Sequence, residues 1–236
     1  MANKKGALYL IPSLLGDSEP LEVLPLRVKK AIDSIDHYIV ENEKSARAFI
    51  KRVLPKKSQP NLVLFVLNKY TEVTEFSRFL EPCRTGQPVG IISEAGVPCV
   101  ADPGQAIVEI AHRDGIRVIP LVGPNSILLA LMASGMNGQT FAFNGYLPID
   151  TPSRKKEIRK LEALARKGHT QIFMETPYRN MKMLEDLLVA ADDSTRLCIA
   201  ADISLPTEFI QTKTVKQWRH SLPELHKRPC IFVLGK

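Results

Sequence analysis

Three carboxylates stand where a proton could be taken from a substrate. Glu41 follows the apolar run His37–Val40, and Glu94 and Asp102 lie within Ile91–Gly104, IISEAGVPCVADPG, after a second apolar run. A carboxylate on a loop at the carboxyl end of a parallel strand is placed for general-base work, worth roughly 10²–10⁴ in rate. Asp102 precedes Pro103-Gly104 and a helical pattern from Gln105, so it reads as the N-cap of that helix. Glu41 is therefore the candidate catalytic carboxylate. The loop around Glu94 and Asp102 is itself unusual. A strand-to-helix connection usually takes about 2–6 residues, whereas Ser93 to Gly104 is far longer and carries two prolines and two glycines. Such a loop predicts a ligand site, and the backbone N–H groups of Ala95 and Gly96 suit an anionic group.

Cations supply the other half of the chemistry. Residues 153–167, SRKKEIRKLEALARK, have helical spacing that turns Ile158, Leu161 and Leu164 inward. Lys155, Lys156, Arg159, Lys160, Arg166 and Lys167 then point outward, with Ser153 as the cap and Gly168 as the stop. Lys51, Arg52, Lys56 and Lys57 mark a second basic region. Phosphate contacts need arrays of this kind, which makes Lys155, Lys156, Arg159 and Arg179 candidate substrate contacts. The formal net charge is +7, from 32 Lys+Arg against 25 Asp+Glu, and also favours an anionic partner.

Other chemistries find no support. Cys83, Cys99, Cys198 and Cys230 are far apart with no CxxC, and the five histidines are scattered, so neither a metal site nor a disulfide frame is expected. Neither a GxxxxGK[ST] phosphate loop nor a GxGxxG turn occurs, which argues against an ATPase or a nicotinamide enzyme. No apolar run approaches the roughly 18 residues of a membrane span. The first apolar run is broken by Pro12 and Gly16 with no cleavage-like site after it. The expectation is a cytoplasmic protein with no membrane partner.

The elements that must position these groups alternate. Strands are predicted at Ala7–Ile11, His37–Val40, Asn61–Val66, Val89–Ile92 and 116–122, with helices at Leu24–Ile32, 44–54, Glu72–Phe79 and from Gln105. Alternation argues for a mostly parallel sheet covered on both faces. Beyond Gly123-Pro124 the pattern changes. A helix Ser126–Met132, capped by Asn125 or Ser126, leads to strands Phe141–Tyr146, Gln171–Glu175, Leu197–Ala201, Glu208–Thr212 and Ile231–Leu234. Helices 153–167 and Met181–Ala190 lie between them. The predicted fold is α/β with two domains, 1–122 built on a mostly parallel sheet and 123–236 on a mixed one.

Six segments, in order and in register, carry a resemblance: GALYLIPSLLGD (6–17), IISEAGVPCVADPG (91–104), IRVIPLVGPNSILLALMASG (116–135), FAFNGYLP (141–148), SRKKEIRKL (153–161) and IFMETPYR (172–179). Together they resemble the tetrapyrrole methylase superfamily, and within it the ribosomal RNA small subunit methyltransferase I branch. The resemblance implies S-adenosylmethionine as methyl donor, bound in an interdomain cleft, a homodimer, and an RNA ribose 2′-hydroxyl as acceptor. Carried onto this chain, it puts Ile11, Pro12, Ser93, Glu94, Ala95, Gly96, Val97, Gly123, Pro124, Met132 and Thr176 at the cofactor. Ile11, Met132 and Ile231 are the apolar walls for adenine. There are departures: the branch's Glu-Asp-Thr-Arg is Glu41-Asn42-Glu43-Lys44 here, and its Asp-Ala-Gly-Thr-Pro is Glu94-Ala95-Gly96-Val97-Pro98; the cofactor-loop positions mostly match, while the acceptor-facing loops of the first domain diverge. Two other activities fit the same residues, a tetrapyrrole-type small-molecule C-methyltransferase and a non-catalytic cofactor- or RNA-binding homologue.

Overall fold

Alternating apolar runs and amphipathic segments build a parallel sheet first. In the computed structural model, which describes residues 5–236, one unit ends at Pro124 and a second begins at Asn125.

The first unit carries β1 (Ala7–Ile11), α1 (Pro20–Val23), α2 (Leu26–Ser34), β2 (His37–Val40), α3 (Glu43–Val53), β3 (Val63–Val66), α4 (Glu81–Arg84), β4 (Val89–Ile92), α5 (Gln105–Arg113) and β5 (Arg117–Pro120). Its five strands are ordered β3-β2-β4-β1-β5, and every pairing is parallel. The central strands are buried on both faces, which is why ALYLI, HYIV and VGII read as nearly continuous apolar runs. The α3 helix packs Ala46, Ile50 and Val53 inward, and Asn42 caps it by accepting from the Lys44 and Ser45 N–H groups. Two helices differ from the sequence pattern. Pro25 splits the run expected at Leu24–Ile32, so α2 starts at Leu26. The helix expected at Glu72–Phe79 is a 3-10 segment, Val73–Leu80, and Pro82 opens a new turn, α4, directly after it.

The second unit carries α6 (Ser126–Ser134), β6 (Phe141–Tyr146), α7 (Thr151–Arg166), β7 (Thr170–Met174), α8 (Asn180–Ala190), β8 (Arg196–Ala201), β9 (Phe209–Thr214), α9 (Val215–Trp218) and β10 (Cys230–Gly235). The sheet order is β6-β7-β10-β8-β9, with β6 and β7 parallel and the other pairs antiparallel. The predicted mixed sheet is what forms. Its core includes stacked Phe173 and Phe232, with centroids 5.7 Å apart, and Trp218, whose indole N–H donates to the Leu197 carbonyl at 2.8 Å. Asn125 caps α6 by accepting from the Leu128 N–H. The cap of α7 is Asp150, not Ser153: its carboxylate accepts from the Ser153 N–H and also suits the helix N-terminus. Leu164 is 37% exposed, because the inward stripe runs through Arg154, Ile158, Leu161 and Ala165 instead.

Among the described residues no helix is long and apolar enough to cross a membrane. Nor do three or more His, Cys, Asp or Glu side chains converge to hold a metal ion.

Candidate active site

Open parallel sheets bind ligands at their carboxyl edge, where neighbouring strands send their chains in opposite directions. In the first sheet β4 makes such a point with each of its neighbours, β2 and β1. The exit loops of β1 and β4 are joined by the Ser13 N–H, which donates to the Gly96 carbonyl at 2.8 Å. Gly96 has φ +72°, a backbone conformation that L side chains rarely adopt, and a Cβ on it would lie 3.1 Å from both Leu15 Cδ2 and the Pro124 carbonyl oxygen. Gly123 is pressed on the Pro12 ring so closely that a Cβ would fall 2.2 Å from Pro12 Cγ. Pro12, Gly96, Gly123 and Pro124, far apart in sequence, are thus brought together.

A cavity of about 300 Å³ opens beside these loops, lined by Ser13, Leu15, Phe49, Arg52, Ser93 and Glu94, among others. Glu94 is exposed at its rim and accepts from the Ser45 hydroxyl at 2.6 Å. The Ser93 hydroxyl donates to the Ala95 carbonyl and accepts from the Ala95 N–H. The Ala95 donor expected to face a ligand is therefore already occupied. By contrast, the Ser13 hydroxyl is buried with no intramolecular partner. A buried hydroxyl without a partner costs free energy, so its place on this cavity points to a ligand.

Glu41 and Asp102 meet in a narrow cleft walled by Leu67 and Pro103. The Asp102 carboxyl is pushed up to about 8, first by burial, then by hydrogen bonding and repulsion from Glu41; Ser93 opposes the shift and Glu94 adds to it. Asp102 therefore keeps its proton to higher pH than a free carboxyl and can donate a hydrogen bond to the neighbouring Glu41. This corrects the cap expected of Asp102. Gly104, with φ +126°, occupies the N-cap position of α5, and no side chain caps that end. Glycine lets the chain turn into the helix unaided, so Asp102 belongs to the acid pair.

The shift has a testable consequence for stability. Folded Asp102 holds a proton that the unfolded chain releases, so its contribution is whole below pH 3.8 and falls as pH rises toward about 8. Asp102→Asn keeps the neutral form throughout. Its advantage over the native protein is expected to be negligible near pH 3.8 and to grow to about 1–2 kcal/mol at pH 8, allowing for solvent screening. Unfolding midpoints of the two proteins that run parallel across that range would refute the raised Asp102 pKa.

The remaining candidates divide. Ile11 and Ile231 are 0% and 4% exposed. Their side chains pack in the cores, and the missing Cβ of Gly90 makes room for Ile11 Cδ1. Val97 is half-buried, and Met132, at 78% exposure, lies open on α6. Thr176 is half-buried, its N–H donated to Glu175 Oε1 at 2.6 Å. Lys156 and Arg159 are exposed, whereas Lys155 is 3.9 Å from Asp186 and Arg179 binds Glu175 at 2.6 Å. Burial pushes the Glu175 carboxyl up, but hydrogen bonds from Arg179 and the Thr176 N–H outweigh it and hold the group below its ordinary range.

Arg154 was hidden in the basic run. It is 3% exposed and lies 3.0 Å from Asp186 and 3.8 Å from Glu175, with Nη2 donating to the Ile149 carbonyl and the Thr151 hydroxyl. The signal was available, since 154, 158, 161 and 165 share one helical stripe.

A family model described as Tetrapyrrole (Corrin/Porphyrin) Methylases matches residues 7–218. Ribosomal RNA small subunit methyltransferase I of Escherichia coli O157:H7 is 29% identical over 88% of this chain and 69% of its own length. The protein of the same name from Haemophilus influenzae is 29% identical over 95% of this chain and 75% of its own. Among solved structures, the methyltransferase CobJ matches with TM-score 0.65 at 18% identity, covering 98% of this chain and 94% of that one. Cobalt precorrin-4 methyltransferase, CbiF, matches with TM-score 0.61 at 18% identity over 97% and 94%; these two likenesses are of fold.

S-adenosylmethionine carries an ammonium, a carboxylate, a sulfonium and ribose hydroxyls. The residues here fit such a molecule: Ser13 has a hydroxyl to spare, Glu94 and the acid pair suit cationic and hydroxyl groups, and the side-chain-free Gly96 allows close backbone approach. With the family model spanning nearly the whole chain, the protein belongs to the tetrapyrrole (corrin/porphyrin) methylase family and is an S-adenosylmethionine-dependent methyltransferase.

Proposed function

We propose that this protein methylates a ribose 2′-hydroxyl of small-subunit ribosomal RNA, acting in the cytoplasm as a homodimer. One observation carries the acceptor class. The relatives matched along 88% and 95% of the chain bear the name of small-subunit ribosomal RNA methyltransferases. The homodimer draws support from Leu128 and Met132, one turn apart on α6 and exposed, an apolar stripe of the kind a second copy covers.

S-adenosylmethionine supplies an electrophilic methyl group on a positively charged sulfur. Pro12, Ser13, the Ser93–Val97 loop and Gly123-Pro124 hold it from the first unit, with the Ser13 hydroxyl as its polar contact. Glu41 accepts the proton of the attacking hydroxyl. Asp102, which burial keeps protonated, donates to Glu41 and keeps it oriented, and the proton taken up by Glu41 is then released to solvent. Holding acceptor and donor in line supplies up to about 7–11 kcal/mol of the barrier reduction in well-oriented cases.

Lys156 and Arg159 meet RNA phosphates. Replacing both by alanine is expected to weaken RNA binding uniformly across sequences. The slope of log affinity against log salt should fall by about one unit for each phosphate that is no longer neutralised, as read by filter binding across a salt series. An unchanged slope would make this face of α7 merely solvated. The acceptor itself is tested with methyl-labelled S-adenosylmethionine, offering undermethylated small-subunit RNA and a precorrin-type macrocycle in parallel. Label in the RNA is expected, and label in the macrocycle alone would overturn the reading.

A further inference from the structure

Three chain segments converge at one end of the second sheet. Tyr146 ends β6, and Tyr178 and Arg179 follow β7, its parallel neighbour, with Tyr146 paired to Met174. The lead-in to β10 reaches the same end because β10 runs antiparallel to β7, with Ile231 opposite Met174. His226 and Lys227 therefore come beside Tyr178: the two rings meet edge to face at 6.1 Å, and Lys227 Nζ lies 6.0 Å from the Tyr178 ring centre. Tyr178 is 71% exposed and Tyr146 57% exposed, and the Tyr146 phenol is within electrostatic reach of the Arg179 guanidinium.

This surface is held rigid. The Lys227 N–H donates to the Pro177 carbonyl at 3.1 Å, and Asn180 Nδ2 donates to the Arg228 carbonyl at 2.6 Å, fastening the 224–229 loop to the exit of β7. Leu225 anchors the loop from below at 0% exposure. Lys227 has φ +60°, a conformation that costs a lysine about 1–2 kcal/mol and persists only where surrounding contacts impose it. The outcome is a fixed aromatic face in solvent, with a lysine that has no carboxylate within ion-pair distance among the described residues.

We propose that Tyr178, flanked by Lys227 and His226, is a stacking platform for an unpaired base of the RNA substrate. The proposal rests on the RNA reading and deepens it. An exposed aromatic ring beside cations is the arrangement that binds single-stranded RNA, the ring taking a base and the cation the adjoining phosphate. Tyr178 is the stacking side chain and Lys227 the phosphate contact.

The test is equilibrium binding of a labelled single-stranded RNA oligonucleotide from the small subunit to the full chain, to Tyr178→Ala and to Tyr178→Phe. The alanine variant is expected to bind roughly 5- to 150-fold more weakly, with an unchanged salt slope. The phenylalanine variant keeps the ring and should stay within about twofold of the native protein. Lys227→Ala should lower the salt slope instead. Since Tyr178 is exposed, the thermal midpoint should be the same for all. Native-like affinity in Tyr178→Ala, from a protein that binds and methylates RNA, would overturn the platform alone. A native protein that binds no RNA and transfers methyl only to a macrocycle would overturn both the platform and the reading beneath it.

Discussion

Replacing Arg154 by methionine is expected to lower the unfolding free energy by about 3–5 kcal/mol, the usual cost of stranding buried charge. Methionine fills similar space but brings no charge. Glu175 and Asp186, whose side chains are 0% and 2% exposed, would each lose a cation. Partial compensation remains, from Arg179 at 2.6 Å for Glu175 and from Lys182 at 3.4 Å for Asp186. The network is also poorly aligned: Arg154 Nε and Nη1, Glu175 Oε2 and Asp186 Oδ2 sit at ion-pair distances without hydrogen bonds. Removing a facing carboxylate should therefore relieve the defect, so Arg154→Met with Asp186→Asn is expected to be more stable than Arg154→Met alone. Chemical denaturation of the four proteins of this cycle reads both effects. A single variant within about 0.5 kcal/mol of the native protein would mean that the other cations satisfy the carboxylates, since that is the ordinary range for surface changes.

Gly96→Leu is expected to lower affinity for S-adenosylmethionine a hundredfold or more while leaving the second unit folded. Two physical causes act together. The φ of +72° costs a leucine about 1–2 kcal/mol, and its Cβ would sit 3.1 Å from Leu15 and the Pro124 carbonyl, driving the loops apart. The Ser13 N–H bond to Gly96 would go with them. Gly96→Ala carries the backbone strain and the Cβ contacts without the rest of the leucine side chain, and should fall between the native protein and leucine. Calorimetric titration with S-adenosylmethionine is the readout, and native affinity in the leucine variant would put the cofactor elsewhere.

Local pattern made much of this fold readable. The runs at 7–11, 37–40 and 141–146 become strands with those bounds; the first two bury apolar residues in the parallel sheet, whereas 141–146 is an exposed edge strand of the second sheet. The α9 turn was also written in the chain: Thr214 and Gln217 make a capping box, a signal masked by the strand before it. What could not be read was adjacency. Glu41 meets Asp102 because β2 and β4 are neighbours, and nothing local to either segment states the order β3-β2-β4-β1-β5. The Asp-Pro-Gly sequence suggested a cap because that is its commoner use, while the carboxyl turned toward another strand's exit. Gly123 and Pro12 likewise meet only through tertiary packing. At Ile11 the strand pattern also gave the burial correctly.

The position of the transferred methyl group is the most direct test of the proposed chemistry. RNA labelled by the protein from methyl-labelled S-adenosylmethionine is hydrolysed in alkali, which cleaves each linkage through attack by its own 2′-hydroxyl. If Glu41 draws the proton from a ribose hydroxyl, the label ends in an alkali-resistant dinucleotide, and Glu41→Gln loses most of that label while still binding cofactor. Label released entirely as mononucleotides would place the methyl on a base and contradict the account.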